Sequence, residues 1–146
     1  MSGTKADVQF FNETTLDLPI SKNDLKGIVS LIESKESIHY SFVEFVFVDE
    51  DQIVEINKEH LDREYITDTI SFNYEKSQKD DIEGTVFLCA PRINEQAIEF
   101  NQDQRDEFLR VSIHSLLHLI GYEDTEESDQ QIMTQKEDEY LSLLKG

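Results

Sequence analysis

The chain has 146 residues, 38% of them hydrophobic and 31% charged, enough for a single domain over residues 1–146 with one modest core. Its formal net charge of −19 excludes a generic polycation that coats DNA or anionic membranes; a nucleic-acid partner would need a local basic patch or a bound cation. The lone Cys89 leaves no intramolecular disulfide framework, the amino terminus has no apolar signal-peptide core, and runs such as Val46-Phe47-Val48 are too short to span a bilayer. These features point to a cytoplasmic protein with no membrane partner and no DNA partner.

In chain order, Val8-Gln9-Phe10-Phe11 reads as a first strand. Ser21 caps a helix with Leu25, Ile28, Val29 and Ile32 at helical spacing. The run through Phe42, Phe45 and Phe47 is apolar almost throughout, the signature of a strand covered on both faces. Asp49 caps a helix that runs to about His60, and Thr69-Ile70-Ser71-Phe72 alternates as a half-buried strand does. Tyr74 to Glu83 is polar and charged and reads as a surface loop. Thr85 to Cys89 forms another strand, and Pro91 opens a helix through Ala97. From Asp103 to Ile120 a wide apolar stripe marks a helix that Gly121 stops, and Ser128 to Lys145 docks as the last one. Strands and helices interleave, so the expectation is an α+β (layered α/β) domain, with strand order unreadable.

The chemistry-bearing stretch is His114-Ser115-Leu116-Leu117-His118-Leu119-Ile120-Gly121-Tyr122-Glu123-Asp124. Residues four apart share a helix face, so two imidazoles so placed can converge on one cation. Gly121 can adopt φ > 0 and turn the chain, bringing Asp124 back toward that face. Glu123 and Asp129, in the same acidic run, are alternative oxygen ligands. Two His and one carboxylate leave a position open to water, the arrangement of a catalytic rather than a structural zinc site. The spacing is that of the metzincin pattern H-E-x-x-H-x-x-G-x-x-H, but Ser115 replaces the glutamate that serves those peptidases as general base. Proteolysis is therefore disfavoured.

The same residues resemble the signature of the YbeY-type endoribonucleases, roughly H-G-x-L-H-L-x-G-Y-D-H. The family's T-D-V-L-S-F-P strand is matched by Thr67 to Asn73, its L-G-D-I segment by Glu83 to Val86, and its carboxy-terminal M-x-x-x-E by Met133 to Glu137. The resemblance implies a four-stranded mixed sheet flanked by about five helices, with a metzincin-like metal helix. It further implies one divalent ion, zinc foremost with manganese or nickel as alternatives, held by His114, His118 and Asp124. The implied activity is cleavage of single-stranded RNA in maturation of the small-subunit (16S) rRNA 3′ end and in ribosome quality control, with the ribosome or ribosomal proteins as partners.

Two departures matter. The family's third histidine is Asp124 here, an anionic ligand that makes a harder site. The family's arginine falls at Leu61, and Arg63 is the candidate to replace it. His60 is a candidate proton carrier, because its ordinary pKa lies near neutrality. Ser71, with Thr67 and Asp68, is a candidate for the substrate groove and is carried with His60 and Arg63 as a catalytic candidate. Lys58, Arg63, Arg92, Arg105 and Arg110 are the candidate cations for RNA. His39 has no partner in view. Either water activated at the ion or the RNA 2′-OH attacks the phosphodiester. The competing functions are a metal-dependent hydrolase of another substrate, peptides included, and a ribosome-assembly binding module with impaired catalysis.

Overall fold

A computed structural model describes residues 6–61, 67–74 and 81–145. The elements follow in the order β1 (Asp7–Asn12), α1 (Lys22–Glu36), β2 (Tyr40–Val48), α2 (Glu50–Leu61), β3 (Thr69–Asn73), β4 (Ile82–Cys89), α3 (Ala90–Glu99), α4 (Gln104–Leu119) and α5 (Glu127–Lys145). The strands form one mixed sheet in the order β1-β2-β4-β3. β1, β2 and β4 run parallel, and β3 pairs antiparallel with β4, from Thr69 opposite Leu88 to Asn73 opposite Gly84. The expected α+β layered fold with a four-stranded mixed sheet and five helices is what the chain adopts.

The pleat sends alternate residues to opposite faces, and both are used. Val43, Phe45 and Phe47 of β2 and Val86 and Leu88 of β4 join Leu25, Ile28 and Ile32 of α1, Ile113 and Leu117 of α4, and Tyr140 of α5 in the larger core. Val46, Val48, Ile70 and Cys89 point the other way, where Ile53 of α2 completes a smaller cluster. The second half of β2 is thus buried on both faces, as its unbroken apolar run requires. Burial pushes the Cys89 thiol up to about 11, so it packs as an unreactive hydrophobe.

One expectation is corrected. The polar stretch read as a loop to Glu83 ends earlier, because Ile82 and Glu83 already belong to β4; Ile82 N–H donates to His39 O (3.0 Å) and Tyr74 N–H to Glu83 O (2.8 Å). Charged neighbours hide this start, and it is pairing on both sides that makes it strand. His39 also has a partner after all, with Nδ1 3.0 Å from Glu33 Oε2.

The helix starts are fixed by their caps. Ser21 and Asp24 form a capping box at α1, and Asp49 and Gln52 exchange the equivalent pair of bonds at α2. Asp24 also accepts two 3.0 Å bonds from Arg105, tying α1 to the first turn of α4. The Arg105 bonds outweigh burial and lower the Asp24 carboxyl to about 2. A folded-state pKa below the usual Asp value contributes stability that is complete above about pH 4 and lost as pH falls toward 2. Asp24→Asn is expected to cost about 1–2 kcal/mol at neutral pH, reduced by the half-exposed arginine, with the difference from wild type shrinking steadily as pH falls from about 4 to 2. Urea titrations from pH 7 to 2 check it; a pH-independent difference would contradict it.

Candidate metal centre

His114 and His118 lie on the face of α4 turned toward the β3 edge. Thr69 and Ser71 of β3 bond to Ser115, and Asn73 Nδ2 donates to Leu119 O (2.6 Å), so the strand is laced to the helix that carries the histidines. α4 then ends in a Schellman turn, with Tyr122 N–H donating to Leu117 O and Gly121 N–H to His118 O, both at 3.1 Å. Gly121 sits at φ +107°, a backbone region that a Cβ disfavours. This reversal carries Asp124 back over the histidine face.

The outcome is a tight triangle. His114 Nε2 and His118 Nε2 are 3.0 Å apart, and Asp124 Oδ2 lies 3.2 Å from the first and 3.5 Å from the second. A tetrahedral zinc with ligands at 2.0–2.1 Å needs neighbouring ligand atoms about 3.3 Å apart, so the three edges fit one divalent ion. Among the described residues this is the group of His, Cys, Asp and Glu side chains able to hold one, and its oxygen comes from Asp124 rather than Glu123 or Asp129.

The hydrogen bonds behind the triangle give the same answer. His114 Nδ1 lies 2.6 Å from Glu137 Oε2, and His118 Nδ1 lies 2.9 Å from Tyr122 O. Both partners accept, so each Nδ1 carries the proton and each Nε2 turns a lone pair into the triangle. Two such lone pairs and a carboxylate oxygen, all facing inward, repel unless a cation sits between them. Burial disfavours a charged His114, but the bond to Glu137 and its charge outweigh this and raise the imidazole pKa.

Further support lies outside the triangle. Glu137 also accepts from Arg110 Nη1 (3.1 Å), whose Nη2 donates to Asp138 (2.7 Å). Tyr122 is held by its hydroxyl to Glu36 Oε1 (2.8 Å), which joins the turn to α1. Met133 to Glu137 and Tyr122 match the family signature, but the match alone assigns neither Glu137 nor Tyr122 a role. An acid at helical spacing with Met133, Tyr140 and Leu141, on the apolar stripe of α5, was the available signal for Glu137.

The histidines border a cavity of about 450 Å³ lined also by Asn57, Thr67, Asp68, Thr69, Ser71 and Asn73. Ser71 therefore lies at the cleft, its hydroxyl donating to Ser115 O (3.3 Å). His60 is exposed and set edge-on to Phe72, 5.2 Å between ring centres, on the opposite face of β3 from Ser71. Arg63 and the Leu61 side chain lie outside the described residues. Ser115, at the peptidase base position, is fully buried and bonds Val111 O (2.9 Å) and Thr69 (2.7 Å), so it has no access to a substrate. Arg92, Arg105 and Arg110, three candidate RNA cations, are all paired with carboxylates.

Truncating Glu137 tests the support behind His114. Glu137→Ala is expected to weaken zinc binding about 10–100-fold in a chelator competition, while Glu137→Gln, which keeps an acceptor, loses less. Equal affinities for all three proteins would contradict the assignment.

Comparison with known proteins agrees with this architecture. The family profile described as Endoribonuclease YbeY matches residues 9–145. A protein named Endoribonuclease YbeY from Karelsulcia muelleri is 37% identical over 117 residues, covering 80% of this chain and 82% of its own. Its namesake from Christiangramia forsetii is 32% identical over 140 residues, 96% of each chain. The solution structure of TM1509 from Thermotoga maritima superposes with a TM-score of 0.61 at 27% identity, covering 94% of this chain and 88% of that one. With the profile spanning nearly its whole length, this chain belongs to the endoribonuclease YbeY family.

Proposed function

We propose that this chain, taken as one domain over residues 1–146, is a metal-dependent endoribonuclease that cuts single-stranded RNA, with His114, His118 and Asp124 holding one divalent ion, zinc foremost. The observation that carries the reading is the triangle of ligand atoms, 3.0–3.5 Å on its edges, with both imidazoles held in the tautomer a metal requires. When bound, such an ion supplies Lewis acidity toward a phosphodiester and toward water. Family membership supports RNA as the substrate class, and we extend the proposal to small-subunit rRNA 3′-end maturation and ribosome quality control, the role the motif resemblance implies.

The chain's own residues prepare the centre and its cleft. Glu137 and the Tyr122 carbonyl fix the two rings and their protons. Asp124 offsets part of the ion's charge, which favours manganese more than a three-histidine site would. The Ser71 hydroxyl spends its proton on Ser115 O and keeps its lone pairs for a donor in the cleft, such as a ribose 2′-OH. His60, outside the cleft lining, has no part in this scheme.

Electrostatics sets the limit on autonomous binding. The chain carries −19, and Arg92, Arg105 and Arg110 are neutralised by neighbours. Free RNA should therefore bind weakly, and a ribosomal surface that presents the strand would overcome this. Ser115, buried where a peptidase needs its base, argues against peptide hydrolysis.

Zinc-loaded protein is expected to cut single-stranded RNA, and both chelation and His118→Ala should abolish the activity. Cleavage that survives both treatments would reject the reading, as would a loaded protein that cuts peptides and leaves RNA intact. Arg63→Ala is expected to slow cleavage by about 10–100-fold if its guanidinium replaces the missing family arginine. An unchanged rate would remove Arg63 from the mechanism.

A further inference from the structure

A second hollow, of about 510 Å³, opens on the other side of the metal triangle and shares Asp68, His114 and Asp124 with the cleft along β3. It runs back along α4 toward the end of α3. Its floor includes Glu107, which is only 5% exposed. No described residue gives the Glu107 carboxylate a hydrogen bond, although burial raises its pKa and Arg110 only partly offsets this. The carboxylate of this otherwise buried side chain thus opens on the cavity with its acceptor positions unused. The Phe100 ring stands on the rim, 59% exposed, and Gln96 and Gln102 add amide groups to the wall.

The charge pattern selects the ligand. Arg110, the cation among the described lining residues, is already held by Glu137 and Asp138, so those residues offer no free positive group to a phosphate. Nor does a second set of ligands converge there; among the described residues only the His114, His118 and Asp124 group does so. What remains is an acceptor-rich pocket with an aromatic edge, which suits an uncharged ring that presents N–H donors. Single-stranded RNA is read this way, by stacking on aromatic side chains and by bonds to the exposed base edge. Guanine presents N1–H and the N2 amino group side by side, and one carboxylate accepts from both. Glu107 lies seven residues before His114 on α4, about 10 Å along the axis, so a base bound there belongs to a nucleotide flanking the one at the ion.

The geometry points to a guanine-preferring nucleobase subsite beside the metal centre, with Glu107 accepting from the base edge and Phe100 stacking on its ring. This rests on the RNA reading above and adds a sequence preference to it.

Two measurements on the zinc-loaded full chain test it. In the first, guanosine 5′-monophosphate, adenosine 5′-monophosphate and argininamide are titrated while side-chain resonances of Phe100, Gln96 and Gln102 are followed by NMR. The guanine nucleotide should move these signals and bind about tenfold tighter than the adenine one. Glu107→Gln should erase that preference, and Phe100→Ala should weaken guanosine monophosphate binding about tenfold. Because Glu107→Gln keeps the side-chain shape and removes no hydrogen bond, its melting temperature at pH 7 should stay near wild type, and exposed Phe100 supplies a second variant should it fall. In the second measurement, a single guanosine is moved along an oligouridine substrate, and the cut should move with it. Equal nucleotide affinities, unmoved pocket signals, argininamide as the preferred ligand, or a cut indifferent to the guanosine would overturn the subsite. Guanine-selective shifts without any RNA cleavage would uphold the subsite and reject the nuclease reading instead.

Discussion

The structure turns on two imidazole nitrogens whose lone pairs face each other across 3.0 Å, with a carboxylate oxygen closing the triangle. Such a contact is repulsive unless a cation lies between the three atoms. It is held because each ring is pinned from behind by an acceptor on its other nitrogen, Glu137 for His114 and the Tyr122 carbonyl for His118. Both acceptors come from other parts of the fold, so the centre depends on α5 and on the turn after α4 as much as on α4.

Glu36, at the end of α1, joins these supports. It accepts from Tyr122 (2.8 Å) and Tyr140 (2.5 Å) and pairs with Lys136 (3.2 Å). Burial works against its charge, but these three donors outweigh burial and lower the carboxyl pKa. One anion thereby ties α1, the Gly121 turn and α5 together. The remaining rigidity comes from β3, which is stitched to α4 through Thr69, Ser71 and Asn73.

Much of this was legible in the sequence where the signal is local. Helical spacing in α4, the glycine stop and the alternation of β3 each follow from a few neighbouring residues, and they suffice to bring His114, His118 and Asp124 together. What the sequence did not show depends on contacts between distant segments. The start of β4 is hidden among charges and becomes strand only by pairing with β2 and β3. Glu137 shares the apolar stripe of α5 with Met133 and Tyr140, but only the packing of α5 on α4 sets it 2.6 Å from His114 Nδ1. The cations proposed for RNA looked free along the chain, whereas Arg105 and Arg110 spend their charge on carboxylates that folding brings near, and Arg92 pairs within its own helix with Glu95 and Glu99.

An acidic protein with Arg92, Arg105 and Arg110 paired to carboxylates must draw a polyanion by something other than its general field, which places weight on the ion itself. Anomalous diffraction from crystals grown with zinc tests that dependence most directly. One ion bonded to His114 Nε2, His118 Nε2 and an Asp124 oxygen, each at about 2.0–2.2 Å and with a fourth side open to the cleft, is the expected result. Imidazoles turned away from each other with no ion between them, or an ion bound elsewhere on the chain, would contradict the account.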